Sequence, residues 1–283
     1  MERKLFSDRR VLITGASSGI GLALARELAR QGARLLLVAR RQELLQNHVG
    51  ELTTLGSPSV RILPGDITDL ALSEQAIQFA QSHWRGLDLL IHSAGVSAHG
   101  PFDSSDEATL RRIMDVNFFA VVNLTRIALP LLRVGKDPQV VLMGSVLGHS
   151  GVPYNNEYVA SKFALRGWSQ SLRAELQSQG IGVLLVSPGT TDTSFFDHLL
   201  VRQLVMPWGK RQGISAATVA RQTVHAIRHH RREIFPNWRG RLLVWMTRCC
   251  PGLVAWKMGR YEDMRKVESG KRDMESGKSM EGE

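Results

Sequence analysis

A hydroxyl, a phenol and an ammonium fall within residues 145–162 of this 283-residue chain, SVLGHSGVPYNNEYVASK. The second half of that stretch reads as the start of a helix. Asn155 or Asn156 is the expected N-cap, because a short side-chain oxygen there accepts an orphan backbone N–H. Tyr158 and Lys162, four residues apart, then share one face. A phenol with an unperturbed pKa of about 10 is a poor base at neutral pH. An ammonium roughly 6 Å away, at an effective dielectric of about 20, favours the phenolate by about 3 kcal/mol, or about two pKa units. The positive end of the helix pushes the same way, so Tyr158 is expected to give and take a proton near physiological pH. Ser145 ends the apolar run QVVLMGS, a buried strand. Its hydroxyl is expected where open α/β sheets place ligands, and there it could hold a carbonyl oxygen for Tyr158 to protonate. A Tyr four residues before a Lys is common by chance, so the surrounding elements must carry the reading.

Those elements alternate between strand and helix. RVLIT is a short apolar run, followed by Gly15, Ala16, Ser17, Ser18, Gly19, Ile20 and Gly21 and then by the helical repeat LALARELARQ, which stops at Gly32. Glycines here allow a tight turn and close backbone approach, while the helix N-terminus offers free N–H groups to a diphosphate. The spacing is G-x-x-x-G-x-G rather than the general G-x-G-x-x-G. After the second strand, ARLLLVA, come Arg40 and Arg41, with no acid before Glu43. An NAD site would put a carboxylate there for the ribose. Two guanidiniums suit a phosphate monoester instead, so NADP(H) is expected over NAD(H).

Further along, VRILPGD reads as a third strand ending in Asp66, whose carboxylate either accepts from the adenine amino group or forms the turn, with Ile67 beside it. The strand LDLLIHSAG runs into Ser93, Ala94 and Gly95, small enough for a backbone passing close to a cofactor. His92 reads as a packed or hydrogen-bonded histidine. Residues 106–133 carry a helical pattern with Asn117 inside it; its amide either serves a proton path to Lys162 or is purely structural. GVLLVSPG is a sixth strand, and the turn after it (Pro188, Gly189, Thr190, Thr191, Asp192, Thr193) could reach the nicotinamide amide and the phosphates.

The composition, 43% hydrophobic and 22% charged, is that of an ordinary globular protein with one sizeable core. No run of 18 or more apolar residues is present, so no bilayer span is expected, and MERKLFSDRR is not a secretory signal. The two cysteines, Cys249 and Cys250, are adjacent and suit a reducing compartment, and no spacing fits a metal site. The net charge of +10 is spread along the chain, which argues against a nucleic-acid module.

Taken together, these residues resemble the short-chain dehydrogenases/reductases over about residues 8–235. The motifs are Thr14-Gly15-x-x-x-Gly19-x-Gly21, Asp66, Ser93-Ala94-Gly95, Asn117, Ser145, Tyr158-x-x-x-Lys162 and Pro188-Gly189-x-x-x-Thr193. The resemblance implies a doubly wound, mostly parallel sheet of about seven strands with helices on both faces, binding NAD(P)(H) at the strand ends. It implies Tyr158 as acid/base, Lys162 lowering its pKa and holding the nicotinamide ribose, Ser145 orienting the substrate oxygen and Asn117 supporting a proton relay. Two positions depart from the usual pattern: His92-Ser93 stands where two asparagines are usual, and Thr191 where Val is usual.

Residues 194–213 lie where this fold carries a substrate lid. Phe195, Phe196, Leu199, Leu200, Val205, Met206 and Trp208 there point to an apolar carbonyl or alcohol substrate, such as a 3-keto sphingoid base, a steroid or a retinoid, or else simply pack the lid. The catalytic and dinucleotide-binding domain is expected over 1–237. A basic amphipathic extension, with tryptophans among arginines and a break at Pro251, is expected over 238–263, and a disordered tail over 264–283. The extension is expected to lie on a membrane surface, cap the cleft or make a subunit contact. A cytoplasmic, membrane-peripheral homodimer pairing through residues 106–133 and 155–179 is the expectation. The competing class is an NADP(H)-binding scaffold or redox sensor with little turnover.

Overall fold

The protein is described by a computed structural model over residues 5–202 and 213–260. Parts of the expected lid (Val205, Met206, Trp208) and the expected tail lie outside the described residues. The strands β1 (Arg10–Thr14), β2 (Arg34–Ala39), β3 (Val60–Pro64), β4 (Leu89–His92), β5 (Gln139–Met143) and β6 (Gly182–Val186) are joined edge to edge. A separate parallel pair, β7 (Thr191–Asp192) and β8 (Ile214–Ser215), follows, and β9 (Glu233–Ile234) returns to the main sheet. That sheet runs β3-β2-β1-β4-β5-β6-β9, parallel throughout, as the doubly wound expectation requires.

Strand residues alternate between two buried layers because side chains project with a period of two. Val11 and Ile13 enter one layer with α1 (Gly19–Arg30), α2 (Gln42–Thr54) and a later helix, Ala216–Arg228. Leu12 enters the other, with α3 (Leu70–Phe79), α5 (Ala120–Arg133) and α6 (Asn156–Leu176), while α4 (Glu107–Met114), which runs into α5, buries Ile113 in a small cluster with Val96 and Val116. Helix Ala216–Arg228 is α7, and Trp238–Cys249 is α8, followed by a helical stretch over 251–260. Apolar runs buried on both faces are the mark of a parallel sheet. Each fully buried leucine in these layers contributes about 1.5–3 kcal/mol.

The helix Glu107–Arg133 is continuous, with a π-turn at Asp115–Phe119, and by length and composition alone could cross a bilayer. Half of its apolar window is buried, and Val121, Leu124, Ala128 and Leu132 pack into the second layer. At the lower edge of the sheet, Asp88 receives Arg10 Nη2 at 2.6 Å and Arg10 Nε at 3.0 Å, clamping β4 to β1.

The upper edge opens between β1 and β4, where the strand order reverses, the usual ligand position in such sheets. Thr14 Oγ1 accepts from Ser93 N and Ala94 N at 3.2 and 3.3 Å, so the two strand ends are laced together. The approach is close enough to need glycine. Gly15 has φ +67°, and a Cβ there would sit 2.6 Å from Ala94 N and 2.7 Å from Ser93 C. Gly15→Ala is therefore expected to lower stability by about 1–3 kcal/mol through overpacking and strain, read as a lower Tm in thermal melts. An unchanged Tm would show that the two strand ends separate freely.

Candidate active site

The turn after β1, the ends of β4 to β6, the start of α6 and the two C-terminal helices enclose one cleft of about 880 Å³. Ser145, Tyr158 and Lys162 all line it. Ser145 stands just past β5, its Oγ accepting from Leu147 N at 3.0 Å and hydrogen-bonded to Tyr158. Lys162, one turn along α6, is buried, and its Nζ donates to Met143 O at 2.8 Å while lying 5.4 Å from the centre of the Tyr158 ring.

The electrostatics differ from the expectation at Tyr158. Burial pushes its phenol up to about 12, and the Ser145 hydrogen bond recovers only part of that rise. Burial likewise drives Lys162 down to about 8. Desolvation disfavours the charged form of both groups, and it is the largest cause of each shift. The phenol is thus a proton donor in the resting cleft rather than a ready phenolate.

Two amides are taken up by protein partners. Asn155 occupies the N-cap position but makes no side-chain cap; its Oδ1 instead accepts from Ser97 Oγ at 3.1 Å, tying α6 to the loop after β4. Asn117 spends its amide on structure. Its Oδ1 accepts from Val96 N at 2.9 Å, and its Nδ2 donates to Val96 O at 2.9 Å and Ser161 Oγ at 3.0 Å. Both side-chain donors are used, so the Asn117 side chain offers no N–H to a proton path; it fixes the backbone beside Gly95. His92 is packed, its Nε2 2.9 Å from Thr125 Oγ1, and complete burial lowers its pKa to about 3.

The expected cofactor residues Gly15, Ser17, Ser18, Gly19, Ile20 and Gly21 line the near end of the cleft, with Arg40, Arg41, Asp66, Ile67, Ser93, Ala94 and Gly95. A Cβ at Gly21 would meet Gly15 O at 2.3 Å, so the turn is compressed against the helix start. Pro188, Gly189, Thr191 and Thr193 line the opposite wall, where Val146 N donates to Pro188 O at 3.0 Å. Asp66 forms a local turn and an ion pair: Thr68 N and Oγ1 donate to its Oδ1 at 3.0 and 2.8 Å, and Arg112 pairs with its Oδ2. Burial raises its carboxyl, but these bonds outweigh that effect and leave it below the usual range. Asp66 is the one carboxylate among the described lining residues.

A phosphate-bearing dinucleotide suits these residues. Arg41 reaches across to donate to Ser18 Oγ at 2.6 Å and Ser17 Oγ at 3.1 Å, with no acid to neutralise it there. Nothing in the sequence placed Arg112, His198 or Asn237 in the cleft, whereas Arg239 and Lys257 arrive with the extension, for which capping is one of the expected roles. The C-terminal element supplies the roof, with Leu243, Met246, Leu253, Val254 and Met258 facing inward. Of the three roles expected for the extension, capping is the placement observed. Its outer surface carries Trp238, Leu242, Trp245 and Trp256, all exposed. The guanidiniums of Arg239 and Arg260 lie over Trp238 and Trp256 at 5.5 and 4.9 Å.

The short chain dehydrogenase family model matches residues 9–202. The chain therefore belongs to the short-chain dehydrogenases/reductases, oxidoreductases acting on CH–OH and C=O groups. Among its relatives, "11-beta-hydroxysteroid dehydrogenase-like 4A" of Arabidopsis thaliana is 34% identical over 92% of this chain and 86% of its own length. "Hydroxysteroid 11-beta-dehydrogenase 1-like protein A" of Xenopus laevis is 34% identical over 87% and 84%. A 3-ketodihydrosphingosine reductase of Bacteroides thetaiotaomicron is 34% identical over 69% and 68%. A solved short-chain dehydrogenase/reductase from Burkholderia phymatum, in complex with NAD, superposes with a TM-score of 0.80, at 23% identity over 89% of this chain and 96% of its own. An alcohol dehydrogenase from Thermococcus sibiricus, complexed with 5-hydroxy-NADP, gives 0.72 at 23% identity, over 81% and 96%.

Proposed function

We propose that the protein is an NADP(H)-dependent oxidoreductase interconverting a carbonyl and a secondary or primary alcohol on a hydrophobic substrate. The observation that carries this is the hydrogen-bonded Ser145–Tyr158 pair with buried Lys162 beside it, in a cleft running from Arg40 and Arg41 to an apolar roof. The arginine end, held by Ser17 and Ser18, supports NADP(H) over NAD(H), since a guanidinium fork matches a phosphate monoester. The roof, with Phe195 5.9 Å from the Tyr158 ring, supports an apolar substrate. Relatives named for hydroxysteroid and 3-ketodihydrosphingosine chemistry favour a steroid or a long-chain keto lipid.

A nicotinamide held against this wall supplies or takes the hydride at the substrate carbon. The chain's own work is at oxygen. Ser145 holds the carbonyl oxygen in line with the phenol, and Tyr158 donates its proton. The nearby Lys162 ammonium steadies the phenolate that remains. Gly19, Gly21 and the free N–H groups at the start of α1 form the diphosphate cradle, with Ser93 to Gly95 allowing close passage. In oxidation the same groups act in reverse.

The exposed tryptophans of the extension, interleaved with Arg239, Arg241, Arg248 and Arg260, support docking of the roof on an anionic lipid surface. Leu110, Phe119 and Phe163, exposed on α4, the π-turn and α6, support pairing of two copies through those helices.

Tyr158→Phe is expected to remove carbonyl reduction while leaving NADPH binding by fluorescence within about twofold, because the proton donor is lost and the cleft is not. Retained turnover would refute the role of Tyr158. Inactivity of the parent across apolar ketones and aldehydes, with NADPH bound, would favour a scaffold instead. Lys162 keeps its charge below its lowered pKa of about 8 and loses it above. Reduction should therefore hold level on the acid side of about pH 8 and fall on the alkaline side; a profile still rising at pH 9 would contradict this assignment. The parent should co-sediment with phosphatidylserine vesicles, and a Trp238→Ser/Trp245→Ser variant should remain mostly in the supernatant. Equal pelleting of the two would exclude this face as the contact.

A further inference from the structure

Arg41 is held from two directions. Its Nη2 reaches Ser17 and Ser18 in the glycine turn, and its Nη1 lies 3.3 Å from Nε2 of His198, a residue 157 positions away. In that contact the imidazole accepts from the guanidinium, which it can do only while neutral. No described carboxylate is bonded to Arg41 or His198, and the cleft's single described acid, Asp66, is already taken by Arg112. Arg40, Arg41, His198 and two hydroxyls thus gather at one end of the cleft without a counter-charge.

His198 also sits midway along a strap tied at both ends. Before it, the Thr193 side chain lies 3.6 Å from where a Gly19 Cβ would be, and Thr193 Oγ1 accepts from Phe195 N at 3.3 Å. Phe195 packs against Tyr158 and against Phe196. After it, Leu200 N donates to Ser97 O at 2.9 Å. Between these anchors His198 is exposed, and its side chain meets Arg41.

We propose that His198 is a third ligand for the cofactor's 2′-phosphate, and that this phosphate fixes the strap carrying Phe195 over Tyr158. The inference rests on the NADP(H) reading above. A dianion placed between Arg41 and His198 takes the guanidinium fork, an imidazole N–H and the serine hydroxyls, replacing a contact between two potential cations with charge-assisted bonds. The phosphate then determines more than cofactor choice. It adds a third anchor to the segment that forms the apolar wall beside the proton donor, so an apolar substrate should show a lower KM with NADPH than with NADH.

The test uses adenosine 2′,5′-bisphosphate and AMP, which differ only in the 2′-phosphate, titrated calorimetrically into the parent, His198→Ala, His198→Lys and Arg41→Ala. Hydrogen exchange is followed over residues 193–202. The parent should prefer the bisphosphate, which slows exchange in the strap. His198→Ala should bind the bisphosphate roughly tenfold more weakly, bind AMP as the parent does, and lose the slowed exchange. His198→Lys should recover most of the affinity. If His198→Ala binds the bisphosphate like the parent while Arg41→Ala does not, the role of His198 is overturned and the NADP(H) reading stands. If the parent shows no preference for the bisphosphate, both fall.

Discussion

Lys162 is kept out of water beside a phenol, and much of the surrounding structure exists to make that arrangement tolerable. A buried ammonium needs donors satisfied and close packing. Met143 O satisfies one donor at the end of β5. Small residues bring the packing close: a Cβ at Gly148 would meet Lys162 O at 2.7 Å, and one at Gly95 would lie 3.9 Å from Nζ and 3.3 Å from Asn117 Oδ1. Because the same burial raises Tyr158 and lowers Lys162, both groups are held away from their ordinary proton affinities at once. That is a strained electrostatic state, and clusters of such shifts mark sites where protons move.

The cleft is polarised along its length. At one end, among the described residues, cations outnumber the single carboxylate, which Arg112 occupies, and at the other the roof offers Leu, Met and Val. A ligand with phosphates at one end and an apolar partner at the other has one favourable direction in such a field. The strap from Thr193 to Leu200 joins the two ends, touching the glycine turn, Tyr158 and Arg41 in succession. Charge at the far end and packing at the reacting end are therefore not independent.

What the sequence displays is what local geometry determines. The Tyr158–Lys162 spacing follows from helical period, and the glycine turn follows from positive φ and close backbone approach, so both can be read from short stretches. The seven-stranded order is legible because parallel strands need helical crossovers, and the apolar runs alternate with them. The direction of the Tyr158 shift is not legible. It depends on how much water the rest of the chain removes, and a pairwise estimate of Lys162 against Tyr158 omits that larger effect. Asn155 and Asp66 are only partly legible for a related reason. Ser97 takes the Asn155 side chain in place of the cap, and Arg112 joins the local turn of Asp66 with Thr68 and occupies its other oxygen. His198 carries no signal at all, since its meaning arises from Arg41 across 157 residues.

The roof shows how a distant segment sets the dimensions of the site. Gly240 faces the floor where a Cβ would come within 2.6 Å of Val146 Cγ1, and Gly189 is 3.8 Å away. Val146 follows Ser145 directly, and its N–H is bonded to Pro188 O. The absence of one side chain on α8 therefore lets the roof settle onto the turn that carries the Ser145 hydroxyl. From that contact, Leu243 and Met246 follow one and two turns along the same inward face, as helical spacing requires. The outward face is then obliged to carry Trp238, Leu242 and Trp245, at intervals of four and three residues.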